Sequence, residues 1–234
     1  VKLDAKFYAA GIVPSAPTVI LLHGYPGNAN SPYGLAERLN KNGMNILVFN
    51  YEGSFQSEGV FSWENCMTDV GFALSFLKKT NTIRQFAIDT SKIIVCGCSM
   101  GAAIALSAAV HNPGIRKIIA VAGGNDISIY LQKMNRDPAF RTALERRITA
   151  PTLNNGPIRG DSAYVHNYFG RIMTNHDYFD LIKNAEKLKD REIFFITGWL
   201  DTLVPLEEFI IPAYRHLKAL NPEAVSIKAL ETDH

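Results

Sequence analysis

The sequence predicts an α/β domain: a mostly parallel sheet flanked by helices. Three observations carry that reading. Short, unbroken apolar runs recur at residues 18–22, 46–49, 93–96, 118–121 and 193–196. Runs without polar alternation are what strands look like when both faces are covered. Segments of helical period lie between them, at 34–42, 65–79 and 101–111, and such alternation implies parallel pairing through right-handed crossovers. The third observation is a lone serine between two glycines, where the 93–96 run gives way to an alanine-rich segment in "KIIVCGCSMGAAIALSAA".

The elements follow in order. Residues 1–11 suit an antiparallel edge strand, with a turn from Pro14 to Pro17, before the five buried runs. After the strand ending near Ala122, about seventy residues precede the next one, far more than a usual crossover. They contain an arginine-bearing helical stretch at 138–148, the loop "APTLNNGPIRG" and an aromatic group at Tyr164, Tyr168 and Phe169. Part of the segment at about 124–190 reads as a small cap over the carboxyl edge of the sheet; the alternative is two ordinary crossover helices and a long loop. Residues 224–230 form the last strand. With 234 residues and no internal repeat, the chain is expected to be one domain, 1–234.

Composition excludes several classes. The hydrophobic fraction is 47%, the formal net charge is +2, and no like-charge block stands out, so a nucleic-acid partner has no electrostatic footprint. No apolar run approaches the ~20 residues of a membrane span. Cys66, Cys96 and Cys98 are odd in number, and two of them share a strand end, which argues against a disulfide framework and leans towards a cytoplasmic, reducing compartment. The sequence opens on Val1 rather than Met, which is compatible with a removed leader. Nothing in it sets an oligomeric state.

The chemistry gathers at strand ends. In parallel α/β sheets, ligands sit at the strand-to-helix turns on the carboxyl side, and "GCSMG" there matches the G-x-S-x-G nucleophile elbow. On so sharp a turn, side chains two positions either side of Ser99 would collide with the adjoining strand, so Gly97 and Gly101 are small by necessity. Cys98 is off the centre of the elbow and is expected to point inward as a small hydrophobe. A nucleophilic serine needs a base, an orienting acid and an oxyanion site. In "VILLHGYPGN" a strand ends at the position that supplies a second backbone donor, so the oxyanion donors are assigned to the N–H groups of Met100 and Tyr25. His23, inside that loop, reads as a prop for it. Asp201 follows the strand in "REIFFITGWLDTLVP" and is the acid candidate, with Asp233 a weaker rival. His234 follows the last strand in "VSIKALETDH" and is the base candidate. A terminal residue usually frays, which suggests that the natural chain continues. Of the other histidines, His111 suits a helix C-terminus as a cation. His216 lies on a late helix; His166 and His176 belong to the long insertion and read as surface residues, with contact to substrate as the alternative.

These residues resemble the α/β-hydrolase superfamily. The likeness rests on "HGYPGN", "NILVFNYEGSFQSEG", "VCGCSMG", "TGWLDTLVP" and "TDH", in the family's order and spacing. "YEGSFQSEGVFSWEN" followed by Asp69 is most similar to small serine esterases and to prolyl-oligopeptidase-like and dienelactone-hydrolase-like proteins. The resemblance implies a sheet of about eight strands and a covalent acyl-enzyme on Ser99. It implies His234 as base and then acid, with Asp201 fixing the imidazole, and no metal or organic cofactor. Relatives often carry Arg where this chain has Glu52, and serine at the elbow centre departs from dienelactone hydrolases proper, which have cysteine there.

The expected function is hydrolysis of carboxylic esters with small or medium acyl groups, with a small-molecule ester as the partner. A small serine peptidase or amidase is the alternative, with Arg141, Arg146, Arg147 or Glu208 as anchors for a peptide terminus. A solvated helix face explains the three arginines more simply. A non-catalytic binding protein that retains the fold is a third reading. Tyr25, Trp199 and Tyr164 are candidates for lining the substrate, although core packing explains the same residues.

Overall fold

The computed structural model describes residues 1–11, 15–30, 34–152, 156–160 and 176–234. Its strands are β1 (Ala5–Tyr8), β2 (Ala16–Leu22), β3 (Asn45–Phe49), β4 (Ile88–Cys98), β5 (Lys117–Val121), β6 (Glu192–Gly198) and β7 (Val225–Leu230). They form one sheet in the order β1-β3-β2-β4-β5-β6-β7. The β1–β3 pair is antiparallel and every other pair is parallel. Among the described residues the sheet has seven strands, one fewer than the resemblance implies. The run at 93–96 is the apolar end of a longer strand, whose first half carries the partly or fully exposed Asp89, Thr90, Ser91 and Lys92.

Helices α1 (Leu35–Lys41), α2 (Trp63–Leu77), α3 (Thr80–Phe86) and α4 (Met100–His111) connect the first five strands, and α5 (Asp126–Arg136) and α6 (Pro138–Thr149) follow β5. Short helices α7 (His176–Phe179) and α8 (Leu206–Phe209) precede α9 (Ile211–Leu220). Helix α2 starts where the Ser62 hydroxyl accepts the N–H of Asn65, and α6 starts where the Asp137 carboxylate accepts the N–H groups of Ala139 and Phe140. These are ordinary N-caps.

Two features of the topology position the site. Strands β3 and β4 lie on opposite sides of β2, so the order reverses at the β2–β4 edge, and crevices at such switch points hold ligands. Helix α4 is buried from Met100 to Val110. A helix covered on all sides must be narrow to lie close to the sheet, which is why it is built from alanines around Ile104 and Leu106. Truncating Ile104, which is fully buried in the main core, leaves a cavity that costs roughly 2–5 kcal/mol. Ile104→Ala should lower the unfolding free energy by that amount, and the urea midpoint with it, without changing the slope of the transition.

Candidate active site

Ser99 caps α4 with φ 54° and ψ −124°, a left-handed conformation that costs a non-glycine residue energy and that surrounding structure must hold. The holding contacts are tight. A Cβ on Gly97 would lie 2.0 Å from the Gly101 carbonyl oxygen, and one on Gly101 would lie 2.5 Å from the Leu22 carbonyl oxygen. Both glycines are therefore required by the backbone, as the elbow pattern predicts. Gly123, after β5, is equally confined: its Cβ would meet the Ser99 carbonyl oxygen at 2.5 Å. The pattern around the serine contains no signal for that third glycine.

The strand register brings the other parts to this point. Leu22 lies opposite Gly97, so the chain leaving β2 passes beside Ser99, and a Cβ on Gly24 would sit 3.2 Å from the Ser99 Cβ. On the far side Gly198 pairs with Leu230. The turn after β7 then folds back over Gly198, where a Cβ would meet the carbonyl oxygens of Thr232 and Asp233 at 2.2 and 2.5 Å. Backbone bonds from Leu200 N–H to the Thr232 oxygen (2.9 Å) and from Trp199 N–H to the Leu230 oxygen (2.8 Å) hold that turn. The last residue is consequently held in place, and its side chain is only 24% exposed.

These approaches bring together Ser99, His234 and Asp201, which lie far apart in sequence. His234 Nε2 is 2.9 Å from Ser99 Oγ, and His234 Nδ1 is 2.8 Å from Asp201 Oδ2. The other carboxylate oxygen of Asp201 accepts the N–H groups of Leu203 (2.9 Å) and Val204 (2.8 Å). Because a carboxylate only accepts, Nδ1 carries the proton, which leaves Nε2 to accept from the serine hydroxyl. Asp233 is exposed, and its carboxylate faces Thr232 rather than the imidazole.

His23 is buried, its Nδ1 lies 2.7 Å from the Gly24 oxygen, and burial pulls its pKa down to about 4. It is neutral and props the loop. Cys98 is buried, and burial pushes its thiol up to about 11, so it carries no thiolate near neutral pH. His111 corrects the sequence expectation. Its ring stacks on Tyr178 at 3.7 Å and burial lowers its pKa, so it is not the cation that a helix dipole would favour.

Two cavities meet at Ser99. An open cleft of about 420 Å³ is lined by His23, Gly24, Tyr25, Arg147, Leu203 and His234 among others. A narrow pocket of about 70 Å³ adjoins it, walled by Trp63, Met100, Ile127, Tyr130, Leu144 and Ile148, with Asp126. The Tyr25 hydroxyl donates to the Ile148 carbonyl at 2.6 Å, which ties the loop after β2 to α6. Trp199, a candidate lining residue, is 59% exposed and lines neither cavity. Tyr164, Tyr168, Phe169 and His166 lie outside the described residues. The sequence reading missed Trp63, Ile127, Leu144 and Ile148 as walls, since a pocket wall and a core position carry the same apolar signal. Glu208 is paired with Lys133 and Arg141 with Glu145. Among the described residues no cluster of three or more His, Cys, Asp or Glu side chains could hold a metal ion, and no helix is long and apolar enough to cross a membrane.

With this geometry in hand, comparison with known proteins places the chain. The family described as alpha/beta hydrolase fold matches residues 17–165. The chain belongs to that family. Among curated proteins, the uncharacterized protein YfhR of Salmonella typhi is 28% identical over 97 residues, 42% of this chain. The match covers only 32% of YfhR, so it spans about a third of the length of that relative. Esterase Pf2001 of Pyrococcus furiosus has a similar fold, with a TM-score of 0.67 and 24% identity over 100% of this chain and 79% of that one. Est1E of Butyrivibrio proteoclasticus, solved with ferulic acid bound, has a TM-score of 0.66 and 19% identity over 100% and 87%.

Two tests follow from this packing. Gly198→Ala should displace the turn that carries His234, because its Cβ meets backbone oxygens rather than a side chain that could rotate away. Fluorophosphonate labelling of Ser99 is expected to slow by at least about ten-fold even where the variant folds; an unchanged rate would show that the turn does not depend on this approach. The second test concerns the buried carboxyls. Burial pushes Asp69 and Asp126 up to about 7. Each therefore binds its proton more tightly in the folded than in the unfolded chain, so its contribution to stability is full below the unfolded value and is lost as pH rises towards about 7. Asp126→Asn cannot ionise, so its melting temperature should fall less between pH 5 and pH 8 than that of the wild type. Equal falls would show that Asp126 does not titrate in this range.

Proposed function

We propose that this chain is a serine hydrolase that cleaves carboxylic esters of small or medium acyl groups through an acyl-enzyme on Ser99. The observation that carries the reading is the Ser99–His234–Asp201 chain of hydrogen bonds, with both contacts at bonding distance. Esterases and a monoacylglycerol lipase among the proteins of similar fold support the ester over the amide.

In this reading His234 Nε2 takes the hydroxyl proton as Ser99 Oγ attacks the ester carbonyl. Negative charge then gathers on the former carbonyl oxygen, where the backbone N–H groups of Met100 and Tyr25 receive it. One such donor is worth ~3 kcal/mol in the transition state. Asp201, held by two backbone donors, stabilises the imidazolium. The imidazolium gives its proton to the departing alkoxide, and the alcohol leaves. Water then enters, His234 removes its proton, and attack on the acyl-enzyme releases the acid and restores the serine. The acyl group occupies the narrow pocket, whose volume of about 70 Å³ favours short chains, and the alcohol occupies the open cleft. Helix α6 acts as part of a lid, because Leu144 and Ile148 wall the pocket and the Ile148 carbonyl is tied to Tyr25.

Turnover of nitrophenyl esters of graded acyl length tests the proposal. Activity should be highest for short acyl groups and fall by at least about 10³-fold in Ser99→Ala and His234→Ala. Phosphonate labelling should be confined to Ser99. Ester turnover that survives Ser99→Ala unchanged, or labelling at another residue, would contradict it.

A further inference from the structure

The two cavities share three lining residues among those described: Ser99, Tyr25 and Arg147. The first two are the proposed nucleophile and the loop proposed to bear an oxyanion donor. The third is a cation. A solvated helix face accounts for Arg141, which is ion-paired with Glu145 one turn along α6. Arg147 is exposed on the same helix but differs in place: it lines both cavities from the lid side, and its guanidinium forms no ion pair or hydrogen bond with the described residues.

The charges around the junction are sorted. No Asp or Glu lines the open cleft among the described residues, so Arg147 is its one fixed charge, beside the imidazole of His234. The carboxyl that does lie near, Asp126, lines the narrow pocket instead, where it is buried and accepts the Gly124 N–H at 2.7 Å. Asp201 has its two oxygens committed to His234 and to the backbone. The arginine charge is felt at the Tyr130 phenol, where it partly offsets the upward push of burial. A guanidinium with no ion pair among the described residues, at the mouth of such a cleft, presents planar donors that match a carboxylate in bidentate geometry.

We infer that Arg147 binds a carboxylate on the alcohol half of the substrate, so that the preferred substrates are short-chain acyl esters of hydroxy acids. The assignment to the alcohol half follows from the sorting of charge. An anion in the narrow pocket would meet the Asp126 carboxyl and apolar walls, whereas an anion in the cleft meets, among the described residues, only a cation and neutral groups. The inference deepens the esterase reading, on which it rests for the reaction but not for the binding.

The test compares para-acetoxybenzoate with its methyl ester, an anionic and a neutral substrate releasing closely similar phenols, in the wild type and in Arg147→Lys, Arg147→Gln and Arg147→Glu. The quantity read is the ratio of kcat/KM for the anionic ester to that for the neutral one, which cancels general damage to the site. The ratio should fall by about ten-fold or more in Arg147→Gln, fall further in Arg147→Glu and be partly restored in Arg147→Lys. A ratio that stays within about two-fold across the set would overturn the inference. Calorimetric titration of para-hydroxybenzoate into Ser99→Ala, with and without Arg147→Glu, reads the binding alone. It decides the matter even if neither ester is turned over, a result that would count against the esterase reading instead. Binding at least about ten-fold weaker with the charge reversed supports the assignment, and equal binding refutes it.

Discussion

Contact of backbone with backbone, at positions where no side chain fits, is the constraint on which the site depends. Gly97 and Gly101 let the nucleophile turn close against β2, Gly123 admits the chain leaving β5, and Gly198 admits the turn that ends in His234. At each of these positions the nearest obstruction is a backbone atom, which cannot rotate aside. The left-handed Ser99 is the counterpart of those approaches: its strain is sustained because the flanking strands and helix leave the turn no wider course. Precision at the serine hydroxyl thus originates in the sheet and its packing, with the loops following.

Electrostatics around this frame divide into groups that are fixed and groups that are silenced. Asp201 is fixed by two backbone N–H donors and so presents its remaining oxygen to the imidazole in one orientation. Preorganisation of this kind avoids reorganisation as charge develops. His23 and Cys98, which lie beside the Ser99–His234–Asp201 chain of hydrogen bonds, are buried in their uncharged forms. Asp69 is silenced differently. It accepts the Glu52 N–H at 2.7 Å and holds the chain after β3 against α2, while burial keeps its proton on until about neutral pH. The neighbouring Glu52 makes its contact with the Val60 N–H at 3.4 Å, and no ion pair joins it to the described residues.

Much of this architecture was legible in sequence for physical reasons that can be named. Strands buried on both faces leave uninterrupted apolar runs, and all five such runs lie within strands. The elbow was legible because steric exclusion forces a pattern of glycine at fixed spacing. Asp201 and His234 were found from their place after strands, and the structure brings both to Ser99. Other features leave no local trace. The polar start of β4 is hidden by Asp89, Thr90, Ser91 and Lys92, which face outward. The walls of the narrow pocket look like core, because Trp63 and Ile148 are buried in either role. Sequence offers Arg147 as a candidate anchor beside Arg141 and Arg146 without separating them; its place on α6, lining both cavities at Ser99, does. Tertiary approach, unlike burial or steric exclusion within a turn, is not written at the position it affects.

The most direct measurement is the proton NMR spectrum of protein labelled with nitrogen-15 at histidine. A proton on His234 Nδ1, bonded to a buried carboxylate, should resonate well downfield of the backbone amides and couple to that nitrogen. It should vanish in Asp201→Asn and persist in Ser99→Ala. An imidazole that shows no such proton, with ring shifts identical in the wild type and in Asp201→Asn, would mean that the hydroxyl, ring and carboxylate do not form one connected chain.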